Sequence, residues 1–127
     1  EKRWSASNYA ELCKSLLDKG FHPVLLGTKD EKDVNDAIIN QCPKALDFTG
    51  QTNLFEIVPL ARHASYAIGN DTGPMHFIGP TGCKTLVLFS GASDPKKHRP
   101  LGDKVDTLQK DNINDIKVSE VLEKITL

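Results

Sequence analysis

The chain has 127 residues, with 16 basic and 17 acidic side chains, a net charge of −1, and 39% hydrophobic residues. This length and composition are typical of one globular domain. The balanced charge argues against a protein that holds a nucleic-acid backbone, which requires a basic excess. No run of about 18 apolar residues predicts a membrane span, and the opening residues do not have the pattern of a signal peptide.

Apolar residues at helical spacing predict five helices along the chain. The first is capped by Ser5 or Ser7 and ends at Gly20. The third opens with Asn53 and Glu56 at the spacing of a capping box. The predicted helices cover residues 5–19, 28–42, 51–64, 75–78 and 119–125, the fourth of them stopping before Pro80.

Short apolar runs between these helices predict buried strands. The predicted strands cover residues 21–27, 45–50, 66–69, 84–91 and 105–108, and a polar loop covers 92–104. The alternation predicts an α/β fold, a Rossmann-like parallel sheet with helices on both faces. Ligands of such sheets bind outside the carboxyl ends of the strands. The candidate loops therefore follow Leu26, Phe48, Ile68 and Phe89.

Three cysteines lie far apart, at Cys13, Cys42 and Cys83, without a Cys-x-x-Cys pair. An odd number at wide spacing favours neither a disulfide framework nor a zinc site. Cys13 falls on the apolar face of the first predicted helix, so we interpret it as a small buried hydrophobe. A reducing, cytoplasmic compartment fits this cysteine usage.

The richest candidate loop is "GNDTGPMHF", residues 69–77. Its glycines permit close approach of a ligand to the backbone, and Pro74 suits the first turn of a helix. The N–H groups of a first helical turn attract anions. The hydroxyl of Thr72 and the ring of His76 can reach the same anion. The loop therefore indicates a phosphate site.

Asp71 within this loop would repel an anion, so we expect it to accept N–H bonds from the turn and hold its shape. Two other interpretations exist. The loop can be a well-capped strand-to-helix turn without a ligand, with His76 packed or at the surface. Asp-Thr-Gly is also the aspartic-protease signature, but here a single copy leads into a helix in an alternating α/β pattern, which disfavours that class.

Several segments, in order, resemble the C-terminal half of the heptosyltransferases, glycosyltransferase family 9. They are "KRW", "YAEL", "VLLG" with acidic residues after it, "FTGQTNLFEIVPLARHASYAIGNDTGPMHF" and "KTLVLFSGASDP". The resemblance covers residues 2 to about 100, and "GQTNL" with "NDTGPMH" is its specific part. It implies the C-terminal domain of a two-domain GT-B protein that binds a nucleotide sugar, typically ADP-heptose. Such proteins transfer the sugar to the lipopolysaccharide core with inversion, without a cofactor or a dedicated metal.

The resemblance also implies site residues, position by position. The donor diphosphate would be bound by Lys2, Asp71, Thr72, Gly73 and His76. The nucleoside would be bound by Glu31 near the ribose, for which Asp30 can substitute, and by Thr52 and Gly50 near adenine. The loop on the sugar side would contain Asp94 and Pro95.

Two segments depart from the family pattern. "FIGPTG" follows His76 where the family usually continues as an Ala-rich helix, so we expect a short or distorted helix. "FSGAS" replaces the family's "FGPT", which weakens the assignment of the contacts to the sugar.

The chain opens on "EKRWS", without an initiator Met, after the point where the family's C-terminal domain begins. We interpret it as one donor-binding domain, residues 1–127, from a longer protein, lacking the first strand of that domain. The acceptor domain and its catalytic Asp base would then lie elsewhere in the full-length protein. We expect the fragment alone to be inactive, and transfer by it from ADP-heptose to an acceptor would contradict this.

The expected partners are a nucleotide sugar and, through the missing domain, a lipid-linked saccharide, with no nucleic acid. The expected location is the cytoplasm, at the cytoplasmic face of the inner membrane for the full-length protein. Two other functions remain open: a sugar-nucleotide epimerase of the same fold, or a non-catalytic module that binds a nucleotide or packs against a partner. Stronger thermal stabilisation by ADP than by UDP would favour the heptosyltransferase. Stronger stabilisation by UDP would favour the epimerase, and stabilisation by neither nucleotide would favour the non-catalytic module.

Overall fold

The computed structural model describes residues 3–51, 53–70, 72–91 and 94–125, apart from the side chain of Leu54. Helices and strands alternate, and the described strands pair in parallel. The predicted α/β class is confirmed. The chain divides into two compact units, which we describe separately. The N-terminal unit is Ser5–Asn53, and the C-terminal unit is Glu1–Trp4 with Leu54–Leu127. The interpretation as one donor-binding domain stays a prediction.

The N-terminal unit contains two helices and two short strands. They are α1 (Ala6–Asp18), β1 (Val24–Leu25), α2 (Lys32–Gln41) and β2 (Leu46–Asp47), with a 3₁₀ turn at Lys29–Glu31. Ser5 is the N-cap of α1, since its hydroxyl accepts from the Asn8 N–H at 3.2 Å. Gly20 follows the helix with φ of +90°, a conformation that favours glycine.

The core of the N-terminal unit lies between the apolar faces of α1 and α2. It consists of Ala10, Cys13, Ile38, Cys42 and Ala45. Cys13 is a buried free thiol, as predicted, with 6% of its surface exposed.

The strand predicted over residues 21–27 is only two residues long, and its predicted burial is wrong at Val24, which is 36% exposed. The cause is the size of the ladder. β1 pairs with β2 at just two positions, Val24↔Leu46 and Leu25↔Asp47. A ladder this short covers little side-chain surface, and Leu46 is 51% exposed.

The C-terminal unit has a three-stranded parallel sheet in the order β3-β4-β5. Its strands are β3 (Ala67–Asn70), β4 (Thr85–Ser90) and β5 (Val105–Lys110). Its helices are α3 (Leu54–His63), α4 (Gly73–Ile78), α5 (Pro95–His98) and α6 (Val118–Lys124), with 3₁₀ turns at Gly79–Thr81 and Ile113–Asp115. All six residues of β4 are buried, as its continuous apolar sequence predicts.

The C-terminal unit differs from prediction in three places. The α-helix after residue 72 stops before Pro80 as predicted, but the chain continues as a 3₁₀ turn with Pro80 in its first turn, where a missing N–H costs nothing. The predicted loop 92–104 contains the four-residue helix α5, because the Asp94 carboxylate accepts from the Lys96 N–H at 3.0 Å. β5 runs on to Lys110 because it pairs with β4 over six positions.

Trp4 anchors the start of the chain in the C-terminal unit. Its side chain is 1% exposed, and its indole N–H donates to the Ile116 carbonyl at 2.9 Å. Its backbone N–H donates to the Asn70 side-chain oxygen at 3.0 Å. This second bond fixes the residue at which β3 ends.

Candidate functional site

The position of the loop after β3 is set by the pairing of that strand with β4. Asn70 ends the strand, and its pairing with Leu88 places the loop at the carboxyl edge of the sheet, beside the end of β4. Gly69 makes room for Met75, since a Cβ at Gly69 would lie 2.7 Å from the Met75 sulfur. Met75 is buried, so the packing of α4 onto β3 favours a glycine at position 69.

Gly73, by contrast, is required by neither packing nor backbone angle. A Cβ at Gly73 would meet nothing within 4 Å, and its φ is not positive. The residue is exposed and begins α4. In the described part of the chain, no acceptor is found for its N–H. A ligand can therefore approach this backbone closely.

Thr72 and His76 flank this accessible backbone. Thr72 is extended, with φ of −136° and ψ of 163°, and its hydroxyl makes no capping bond to α4. His76 is exposed and lies three residues after Gly73, so the two share a helix face. The structure thus brings together three of the predicted diphosphate residues on one turn. Lys2 and Asp71 lie outside the described residues, and their roles stay predictions.

Asp94 and Pro95, predicted on the sugar side, follow β4 at this edge. The Asp94 carboxylate caps α5 and Pro95 begins that helix. A structural role for Asp94 is therefore established, and contact with a sugar stays a prediction.

Glu31 lies on the turn after β1 in the N-terminal unit. Its carboxylate oxygen Oε1 accepts from the Thr28 N–H at 3.1 Å, which folds the side chain back over the turn. A Cβ at Gly27 would lie 3.2 Å from the Glu31 Cβ and 3.1 Å from the Asn35 amide nitrogen. Glycine at position 27 therefore allows this tight packing. Asp30, the predicted substitute, is exposed on the same turn.

Gly50 lies on the loop after β2 and adopts a φ of +71°, a left-handed conformation that favours glycine. Its N–H donates to the Gly27 carbonyl at 2.7 Å, which continues the β1–β2 pairing past the strands. The structure therefore places Gly50 beside the turn that carries Glu31. Thr52, the third predicted nucleoside residue, is outside the described part of the chain.

Asn35 ties the two loops of the N-terminal unit together, a role that the sequence analysis missed. Its side chain is 8% exposed, and its amide nitrogen donates to the Leu26 carbonyl at 3.2 Å and the Thr49 hydroxyl at 2.8 Å. The available signal was an Asn beside the apolar positions Val34 and Ile38 of α2. A polar residue on such a face needs hydrogen-bond partners when it is buried.

Thr49 completes this network through Asp47. The Thr49 hydroxyl donates to the Asp47 carboxylate, and the Thr49 backbone N–H donates to the same oxygen at 3.0 Å. These bonds, the hydroxyl first, lower the pKa of Asp47 below its usual value.

The described ranges also bear on metal binding and on membrane insertion. No group of three or more His, Cys, Asp or Glu side chains there is arranged to hold a metal ion. No described helix is long and apolar enough to cross a bilayer.

The chain is similar to known heptosyltransferases. It is 31% identical over 108 residues to lipooligosaccharide heptosyltransferase 2 of Haemophilus influenzae, an alignment that covers 81% of this chain and 31% of that protein. It is 32% identical over 108 residues to lipopolysaccharide heptosyltransferase 2 of Escherichia coli, with the same coverage of both chains. The chain thus spans about a third of the length of these curated relatives.

A solved structure, that of the E. coli ADP-heptose lipopolysaccharide heptosyltransferase II, superposes on this chain with a TM-score of 0.88 at 27% identity. The superposition covers 97% of this chain and 40% of that one. The sequence profile of glycosyltransferase family 9 (heptosyltransferase) matches residues 1–125. The match extends over nearly the whole sequence, so the chain belongs to glycosyltransferase family 9, the heptosyltransferases.

Proposed function

We propose that this chain is the donor-binding part of a longer heptosyltransferase, which transfers heptose or a related sugar from ADP-heptose to the lipopolysaccharide core. Transfer proceeds with inversion and without a metal or cofactor. Family membership supports the reaction class, and the structural similarity to the E. coli ADP-heptose lipopolysaccharide heptosyltransferase II supports the donor. The observation that carries the proposal for this chain is the exposed, unobstructed backbone at Gly73.

The diphosphate of the donor lies on the turn at Thr72, Gly73 and His76. The Gly73 N–H and the Thr72 hydroxyl donate to phosphate oxygens, and the His76 ring approaches from the same helix face. These fixed donors act most strongly on the charge that develops on the leaving diphosphate. Lys2 adds a cation, and Asp71 holds the turn.

The nucleoside lies on the loops of the N-terminal unit. Glu31 accepts the ribose hydroxyls, and the backbone at Gly50 and Thr52 contacts adenine. One Glu31 oxygen already accepts from Thr28, but a carboxylate has about four acceptor positions. The Glu31 carboxylate can therefore still accept hydrogen bonds from both ribose hydroxyls.

The catalytic base and the acceptor domain belong to parts of the protein beyond this chain, which spans about a third of its curated relatives. The chain alone binds the donor without transferring it. The partners of the full-length protein are a nucleotide sugar and a lipid-linked saccharide. It acts in the cytoplasm, at the cytoplasmic face of the inner membrane.

Nucleotide binding by the 127-residue chain tests the proposal. Calorimetric titration with ADP and with UDP should show tighter binding of ADP, and ADP should raise the melting temperature. Gly73→Ala should weaken ADP binding at least tenfold, because a methyl group occupies the space of the phosphate. Its melting temperature without ligand should stay unchanged, since the new Cβ meets nothing within 4 Å. Thr72→Val and His76→Ala should each weaken ADP binding as well.

Thr107→Val on β5 is the matched control for Thr72→Val, since it removes a hydroxyl from a half-buried threonine in the same unit. It should leave ADP affinity unchanged. Tighter binding of UDP would favour an epimerase instead. No binding of either nucleotide, or full ADP affinity in Gly73→Ala, would contradict the proposal.

A further inference from the structure

A cluster of basic side chains follows β4, immediately after Asp94 and Pro95. It consists of Lys96, Lys97, His98 and Arg99, which we call the basic strap. All four residues are exposed. Residues 94–99 contain three lysine and arginine side chains and one carboxylate, that of Asp94, so the segment has a net positive charge.

The backbone of the basic strap is fixed at its start. The Asp94 carboxylate accepts from the Lys96 N–H, and the Asp94 carbonyl accepts from the N–H groups of Lys97 and His98, each at 3.0 Å. These bonds form the short helix α5 and fix the backbone from which its side chains extend.

The end of the strap is fixed as well. The Arg99 guanidinium donates to the Val105 carbonyl. Pro100 is buried against Gly79, where an added Cβ would lie 2.9 Å from the Pro100 Cβ and 2.6 Å from the Leu101 carbonyl oxygen. The cations therefore project from a clamped segment, which lowers the entropy cost of binding a ligand.

The lysines of the strap lack the ion pairs found elsewhere in the C-terminal unit. Lys110 pairs with Glu120 at 2.8 Å, and Lys124 pairs with Asp106 at 3.5 Å. Over the described ranges, no carboxylate pairs with Lys96 or Lys97. Neighbouring cations repel one another, so an anionic ligand would relieve this repulsion.

The strap lies at the same edge of the sheet as the candidate diphosphate turn. β4 lies beside β3 in parallel register, so the strap leaves the same edge of the sheet as the turn at Thr72 and Gly73. Ligands of parallel sheets bind at that edge. The strap also directly follows Asp94 and Pro95, the predicted sugar-side residues. Under the proposed function, in which Asp94 and Pro95 contact the sugar, an anion bound here lies next to the sugar that is transferred.

We propose that the basic strap binds phosphate groups carried by the saccharide acceptor, and thereby favours phosphorylated acceptors. This inference rests on the proposed function. Lysine ammonium groups suit phosphate oxygens as compact charges. Lys96 and Lys97 match one or two phosphate esters, whereas segments that recognise anionic membranes usually carry about four to eight basic side chains.

The test compares two forms of one probe, deacylated lipopolysaccharide that retains its phosphates and the same material dephosphorylated with hydrogen fluoride. Each is titrated into the ¹⁵N-labelled 127-residue chain and followed by amide chemical shifts. The phosphorylated probe should bind at least fivefold more tightly and shift the signals of residues 94–101. Lys96→Gln/Lys97→Gln should remove this preference.

Lys14→Gln/Lys19→Gln is the matched control, because it removes two exposed lysine charges from the N-terminal unit. It should keep the preference for the phosphorylated probe. The melting temperature of Lys96→Gln/Lys97→Gln should equal that of the unmodified chain, since both side chains are exposed. Its ADP affinity should also be retained within about twofold.

Equal affinity for the two probes, or an unchanged preference in Lys96→Gln/Lys97→Gln, would overturn the inference. So would phosphatidylglycerol vesicles that bind through the strap lysines while the phosphorylated probe does not, which would make the strap a membrane surface. ADP binding separates the two proposals. A chain that binds ADP but does not discriminate the probes refutes only the strap, whereas a chain that does not bind ADP refutes the proposed function.

Discussion

The two units of this chain position their candidate binding loops by different means. In the C-terminal unit, the loops follow strands of a three-stranded sheet whose central strand, β4, is buried at every position. In the N-terminal unit, the loops follow strands of only two residues. There the side chain of Asn35 joins one loop to the other through Leu26 and Thr49. Apolar burial positions the first pair of loops, and a polar network positions the second.

This difference has energetic consequences. A fully buried leucine contributes about 1.5–3 kcal/mol from its transfer out of water alone. A hydrogen bond contributes about 1 kcal/mol net, but a buried polar group left without its partner costs about 1–3 kcal/mol. The C-terminal unit should therefore respond most to lost volume, and the N-terminal unit to lost hydrogen-bond donors.

The largest effect is expected for Leu88→Ala in β4. Leu88 is 0% exposed, so the substitution leaves a cavity and should lower the free energy of unfolding by about 3 kcal/mol. Leu25→Ala is the counterpart in β1, where the leucine is only partly buried, and it should cost about 1 kcal/mol. Urea denaturation measures both. Equal losses of unfolding free energy in the two variants would mean that β1 and β4 are equally well packed, which would contradict the difference between the two units.

Asn35→Asp tests the polar network of the N-terminal unit with almost no change of volume. The carboxylate cannot donate to the Leu26 carbonyl or the Thr49 hydroxyl, so the free energy of unfolding should fall by about 2 kcal/mol. Asn40→Asp is the control, an exposed position on the same helix. It should change stability by less than about 0.5 kcal/mol.

The same variant tests whether the network positions the nucleoside loops. ADP affinity of the folded Asn35→Asp chain, measured well below its melting temperature, should fall severalfold, while Asn40→Asp keeps full affinity. A destabilised Asn35→Asp chain with normal ADP affinity would limit Asn35 to a structural role.

The two glycines of the loop after β3 should respond differently to alanine. Gly69→Ala forces the Met75 sulfur away from a contact of 2.7 Å, which should cost about 1 kcal/mol. Gly73→Ala meets nothing within 4 Å, so its stability should change by less than about 0.5 kcal/mol. Thermal melts of the two variants decide this. A strongly destabilised Gly73→Ala would show that the protein itself needs the glycine, and would remove the main support for a ligand there.

The elements that the sequence predicted well are those with a strong apolar pattern. The residues of β4 form a continuous apolar run, and those of α1 have a capping serine and a terminal glycine, so both elements lie close to their predicted positions. β1 has only two residues with strand geometry, although hydrogen bonds to the segment around β2 extend from Pro23 to Gly27 within the predicted run of residues 21–27. The helix α5 was not predicted, because it depends on a single cap by Asp94 rather than on a periodic pattern.

The candidate site was predictable where it depends on local sequence. Thr72, Gly73 and His76 are neighbours in the chain, so their proximity follows from the strand-to-helix turn itself. The link from Asn35 to Thr49 joins residues 14 positions apart, and nothing in the local pattern indicates which partner a buried Asn will find. Long-range polar contacts therefore need the folded structure, even where the loops that they hold are recognised from sequence.

The smallest effect expected is the acid dependence of the network at Asp47. Because the bonds from Thr49 lower the pKa of this carboxyl below its ordinary value, its ionised form is favoured in the folded state. That contribution is present above about pH 4 and is lost as the pH falls through the folded pKa. Asp47→Asn should therefore show a smaller decrease in its urea midpoint between pH 6 and pH 3 than the unmodified chain. Asp33→Asn, at an exposed position of α2, should keep the full decrease. An equal decrease in Asp47→Asn would mean that the bonds from Thr49 do not favour the carboxylate, and that the loop after β2 is held by its backbone bonds alone.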